Sequence, residues 1–314
     1  MQLRSGNGIK KNRIRLLVVL IIAAAAAVLI TGISVSNHRK QLYQNYTGIS
    51  LSNQEETVAA VRQGLKNHAQ TITIRFTAHV DSMDQLDGIV DDLVEAALQE
   101  TDDPAEGDYI RYQYGGYETH YGFEESGHPF QKGNLEYTVK IIPDYYTYLS
   151  QEEEVTEEIN RIVESFGFDA ETSDYEKVKT IYDYVYENVH YYNPHRRHKQ
   201  YHLSTTAYSA LFKKSAVCQG YCVLMYRLLR ECGVSARIIS GTGYLDDWEE
   251  YHSWNIVRIN GKYYNIDVTW DKTLETTDYY LKCDQNFGEH KRDAEFMTEE
   301  FYQQYPMAEE DYPL

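Results

Sequence analysis

Apolar side chains at Tyr221, Leu224, Met225, Leu228, Leu229 and Cys232 recur at spacings of three and four. That rhythm predicts a helix with a wide buried face, beginning near Cys218. Gly233 is a stop signal just past its end, and residues 234–241 read as a strand. Further on, two β-prone runs flank Asn260-Gly261, the pair that favours a two-residue type I′ hairpin. Pairing Ile259 with Lys262 sets Trp254 opposite Asp267 and His252 opposite Thr269. His252, Trp254 and Asp267 then project from one face of the sheet.

The pattern before this region is mixed. Residues 55–68 suit a helix, and residues 71–80 alternate apolar with polar as a half-buried strand does. Ser82 opens a helix with Leu86, Ile89, Val90, Leu93, Val94 and Ala97 on one side. Strands are expected around 109–114, 119–123 and 135–143, and helices over 152–166 and 174–189. Residues 279–283 read as a further strand, and 293–305 as a short helix and tail. The order predicts an α+β chain, with a small α+β module over residues 41–150 and a second domain over 151–314.

The first 40 residues differ in kind. Leu16 to Val35 is a run of 20 residues without a charge, preceded by Arg4, Lys10, Lys11, Arg13 and Arg15. Its length fits a transmembrane helix, and the leading basic residues orient the N-terminus inside and the bulk of the chain outside. Residues 1–40 are thus read as a cytoplasmic basic segment with a single-pass anchor; a cleaved secretion signal is the rival. The net charge of −18 strengthens this division. Seven Lys or Arg and no acid fall in those 40 residues, leaving 23 basic against 48 acidic residues in the rest. So acidic a surface excludes nucleic acid as a partner.

Four cysteines, at 218, 222, 232 and 283, are too few for a disulfide framework, and Cys222 and Cys232 on one helix lie too far apart to bridge. His195, His198 and His202 have helical spacing, but Pro194 and the adjacent cations favour a solvated basic loop over a metal site. No cofactor and no metal are expected. The 30 tyrosines read as fillers of core edges.

Chemistry concentrates in the second domain. A cysteine in the first turn of a helix faces unpaired amides and the positive end of the helix dipole, which favour an anionic sulfur. His252 is the candidate base, and Asp267 the carboxylate that orients it and stabilises its imidazolium. An oxyanion would take the Cys218 amide as its first donor; Gln219 and Tyr208 are candidates for the second, with Trp254 as a supporting residue.

Four segments, Ala216-Val-Cys-Gln-Gly-Tyr221, Arg237-Ile-Ile-Ser-Gly241, His252-Ser-Trp-Asn-Ile-Val257 and Asp267-Val-Thr-Trp-Asp271, together resemble the transglutaminase-like superfamily of bacterial proteins. The resemblance spans residues 172–285. It implies a papain-like or transglutaminase-like core, with the nucleophile helix packed on an antiparallel sheet. Carried over by position, Cys218 is the nucleophile, His252 the general base and acid, and Asp267 the orienting residue. Ala216 stands where the family often has Gly, Val268 where it often has Pro, and Cys222 where it often has Ala. The implied activity is cysteine-dependent amide chemistry through a thioester. Water as acceptor gives a peptidase or amidase, and an amine gives a transglutaminase. Protein or peptide substrates are expected, cell-wall peptide among them. A catalytically silent scaffold is the alternative.

Overall fold

The computed structural model describes residues 54–123, 135–192, 200–245 and 248–313. The charge-free run at 16–35, the rest of the N-terminal segment, His195 and His198 lie outside them. Among the described residues no helix is long and apolar enough to cross a membrane.

Helix α1, Gln54–Lys66, leads into strand β1, Ile72–Ala78, whose residues alternate buried and exposed. Ser82 caps α2, Met83–Ala97, by accepting the Gln85 amide, and the six apolar positions expected on one face are all buried. Residues 109–114, expected as a strand, instead form a helical turn, α3, Asp108–Arg111; β2 follows at Tyr114–Phe123. Three consecutive residues, Asp108, Tyr109 and Ile110, are buried there, which a strand with one wet face does not allow. β3, Leu135–Tyr145, lies between β1 and β2 in an antiparallel sheet of three strands.

Helices α4, Leu149–Phe166, and α5, Asp174–Asn188, come next, the latter opened by a reciprocal Ser173–Glu176 capping box. β4, His190–Tyr191, is followed by α6, Gln200–Ser204, a π-helical turn at Ser209–Lys213, and β5, Ser215–Ala216, which pairs in parallel with β4. Helix α7, Cys218–Glu231, starts where the periodicity places it and is buried continuously from Gly220 to Leu229. Each of its fully buried leucines, Leu224, Leu228 and Leu229, contributes roughly 1.5–3 kcal/mol.

Helix α7 packs against β6, Ala236–Leu245, and β7, Trp248–Ile259, and also touches α4 and α5. β8, Lys262–Ile266, forms the expected hairpin with β7: Asn260 and Gly261 have φ of 51° and 84°, as a type I′ turn requires. The pairing runs only from Ile259–Lys262 to Asn255–Ile266. Asp267 leaves the sheet to cap α8, Val268–Leu274, so Trp254 does not face it across the hairpin, and His252 pairs with Gly241 on β6. Residues 279–283 are not a strand, because Leu281 has φ of 52° and only an isolated bridge joins Lys282 to Asn265. β9, His290–Arg292, completes an antiparallel sheet of order β8-β7-β6-β9. A 3-10 turn at Ala294–Met297 and α9, Glu299–Gln304, end the fold.

The described residues from 54 onward belong to one compact unit. Asp108 is its central tie, accepting Arg237 Nε at 2.7 Å, Arg237 Nη2 at 3.0 Å and the Ile238 amide at 2.7 Å. Tyr226 on α7 donates its hydroxyl to Glu100 at 2.8 Å, and Gln113 accepts the Ala207 amide at 3.1 Å.

Candidate active site

Cys218 is the first residue of α7. The residue before it, Val217, is extended and has no side-chain acceptor, so no cap takes the amides of Cys218 and Gln219. The approach to the helix is fixed by backbone: β5 lies on β4, and the Val217 amide donates to Ser204 O at 3.1 Å. Gly220 sits so close to this segment that a Cβ there would meet Ser204 O at 2.6 Å and Ala216 Cβ at 2.8 Å. Cys218 is partly exposed and is not in a disulfide, nor are Cys222, Cys232 and Cys283.

His252 projects from β7 and is 1% exposed. Its Nε2 donates to Asp267 Oδ2 at 2.6 Å. Cys218 lies beside the same ring and raises its proton affinity. The other ring nitrogen, Nδ1, is buried without a hydrogen-bond partner. Asn255, three residues along β7, ties the strand to α7 by donating to Cys222 O at 3.2 Å. The carboxylate is fixed by its capping role: Asp267 Oδ1 accepts the amides of Thr269 at 2.9 Å and Trp270 at 3.1 Å. Cys218, His252 and Asp267 therefore meet, with the carboxylate delivered by a helix start and not by the hairpin register.

Electrostatics set the charge states. Burial alone would push the His252 imidazolium down, but the Asp267 charge, the bond to it and the Cys218 thiol hold it up at about 10. Burial also works against the Asp267 anion, and the charge and N–H groups of His252 and His290 hold its carboxyl well below the usual range. Both shifts favour an imidazolium on a carboxylate at neutral pH.

The supporting residues fall elsewhere. Gln219 donates its amide to Tyr112 O, which commits that group to holding α7 against the segment after α3. Trp254 is buried, with Nε1 donating to Asn265 Oδ1 at 3.1 Å, so it forms a wall and offers no donor to a substrate. Tyr208 precedes the π-helical turn and packs on Phe212 at 4.9 Å between ring centroids. His202 stacks on Tyr146 at 4.7 Å between ring centroids. The phenols of Tyr191 and Tyr251 lie near Cys218, and burial is the main cause that pushes both up.

His290 was not legible in the sequence. Its Nε2 donates to Asp267 Oδ2 at 3.0 Å, the oxygen that His252 already holds. The nearest nitrogens and oxygen of His252, Asp267 and His290 all lie within 4.8 Å of one another. Both imidazoles use an Nε2 proton on the carboxylate, so a cation here would have to displace two N–H···O bonds. The donor set fits a proton-holding cluster better than a metal centre.

Residues 165–268 match the family model described as the transglutaminase-like superfamily. No curated protein matches the chain. Among solved structures, one described as a TGase is 18% identical, over 48% of this chain and 44% of its own, with a TM-score of 0.31. A protein of Cytophaga hutchinsonii provisionally named a cysteine protease is 16% identical, over 49% of this chain and 62% of its own, with a TM-score of 0.30. The chain thus spans less than two thirds of either structure's length.

Proposed function

We propose that residues 165–268, which belong to the transglutaminase-like superfamily, carry a cysteine-dependent acyl transfer acting on amide bonds of a protein or peptide. The observation that carries this reading is the 2.6 Å bond from His252 to a capping carboxylate, with Cys218 beside the same ring at a helix start.

In the proposed reaction the Cys218 sulfur attacks the amide carbonyl, and a carbon–sulfur bond forms as the carbonyl electrons move to oxygen. Amides of the first turn of α7, that of Cys218 first, are the donors for this oxyanion. As the intermediate collapses, the carbon–nitrogen bond breaks and His252 gives its Nδ1 proton to the departing amine, leaving a thioester. Neutral His252 then takes a proton from the incoming nucleophile, which displaces sulfur and regenerates the ion pair. Water is the acceptor in this reading, because a partly exposed cysteine meets water far more often than an amine. The proposed location is the outer face of a membrane, with residues 16–35 as the anchor; the uncharged run and its leading basic residues support it.

The test is intact-mass analysis of the full chain in detergent after brief treatment with iodoacetamide near neutral pH. One rapid adduct on Cys218, lost in Cys218→Ala and slowed at least tenfold in His252→Ala, is expected. Labelling no faster than that of unfolded chain would mean a silent scaffold. Adding a glutamine-containing peptide, with and without a primary amine, distinguishes hydrolysis from transfer by the product masses.

A further inference from the structure

Asp267 Oδ2 accepts two imidazole N–H groups, at 2.6 Å from His252 and 3.0 Å from His290. A Cys-His-Asp mechanism uses only the first. The surroundings of His290 are unlike those of an incidental neighbour. Its side chain is 0% exposed, and its ring is stacked on Phe287 at 3.9 Å and tilted against Trp270 at 4.2 Å. Its Nδ1 is buried without a hydrogen-bond partner.

We propose that His290 is a positioning residue for this site, an N–H donor that holds Asp267 Oδ2 in line with His252 and limits how strongly the carboxylate retains the imidazolium proton. The inference rests on reading Cys218, His252 and Asp267 as the active site.

The asymmetry between the two rings follows from their neighbours. The groups facing them are Cys218 from α7, Asp267 from α8, and Glu289 and Tyr279 flanking β9, with Asp271 next beyond Asp267. His252 has its Nε2–H on Asp267 at 2.6 Å and Cys218 beside the same ring. His290 has only the longer, 3.0 Å contact with Asp267. Burial pushes His290 down, and the positive charge on His252 adds to that. One carboxylate therefore carries one cation and one neutral donor, and the packing decides which is which.

The neutral donor has a mechanistic use. With Oδ1 bound to two amides and Oδ2 to the Nε2–H groups of both histidines, the carboxylate keeps all four hydrogen bonds when His252 surrenders its Nδ1 proton to the leaving amine. It stays ionised in a dry site. Each bond also draws density from Oδ2, so the imidazolium is a better acid than it would be on a less solvated carboxylate.

The experiment follows the imidazole titrations by NMR of the full chain in detergent, with 15N-labelled histidine, in wild type, His290→Phe and His290→Gln. The two ring systems are assigned by their loss in His252→Ala and in His290→Phe. Phe keeps the stacking and deletes the donor; Gln restores an N–H. In wild type His290 is expected to titrate below an ordinary histidine and His252 well above one. In His290→Phe the His252 midpoint should rise by about half a unit to one unit, and in His290→Gln return toward wild type. A His252 midpoint unchanged in His290→Phe, or a His290 that charges together with His252, overturns the inference. If His290→Phe is unfolded by circular dichroism, the wild-type and His290→Gln titrations still decide it. Failure of the active-site reading is distinguishable, because it appears as absent Cys218 alkylation in wild type whatever the titrations show.

Discussion

Asp108 is 1% exposed and accepts two guanidinium nitrogens and a backbone amide, so replacing it strands a cation. Asp108→Ala leaves Arg237 with the Glu100 contact at 3.6 Å and the Tyr305 hydroxyl. A loss of about 3–5 kcal/mol is expected in urea unfolding, the range for removing one partner of a buried ion pair. Asp271 is different. It is fully buried and accepts the Tyr182 hydroxyl at 2.8 Å and the Tyr279 amide at 3.0 Å, yet burial pushes its carboxyl up to about 7. Its folded pKa exceeds the ordinary value of 3.8, so the native state binds the proton more tightly than the unfolded chain. The stability this contributes is complete below about pH 4 and lost as pH rises through about 7. Urea midpoints should therefore fall between pH 4.5 and 8, and Asp271→Asn should flatten that fall. Of the residues that meet at the site, Cys218, His252 and Asp267 were legible because each sits in a local pattern. His290 was not, since Glu289-His-Lys-Arg292 looks like a solvated run and its partner lies 23 residues away.

At the scale of elements, the position of Cys218 depends on a close approach. The Cβ of Gly220→Ala would meet a backbone carbonyl, which cannot rotate away, so the start of α7 must shift. A cost of roughly 1–3 kcal/mol is expected, with a larger fractional loss of Cys218 alkylation than of thermal stability. The β7–β8 turn is a separate device. Gly261→Ala forces an alanine into φ of 84° and should cost about 1–2 kcal/mol in a thermal melt, leaving the alkylation rate unchanged. Periodicity found the long helices and the hairpin because burial on one face is written locally. It failed at 109–114, where tertiary contacts bury three successive residues, and at 279–283, where one left-handed residue breaks an apolar run. It also carried β8 three residues too far, to Thr269. Val268-Thr269-Trp270 is β-prone by composition, and the capping role of Asp267 outweighs it.

For the whole molecule, the division at residue 150 seen in the pattern falls across shared structure. Arg237 on β6, Ala207 before the π-helical turn and Gln219 on α7 all take their partners from residues 108–113. A fragment of residues 151–314 should bind a hydrophobic dye and lack a cooperative melt. A fragment of residues 48–314 should melt in one transition with equal calorimetric and van't Hoff enthalpies. The Asp108–Arg237 tie also bears on synthesis. The segment bearing Asp108 leaves the ribosome first, so the counter-charge for Arg237 is already made when β6 emerges. A nascent chain built with Asp108→Ala would meet that step with an unmatched cation, and ribosome-bound intermediates should become sensitive to protease at the moment β6 is exposed.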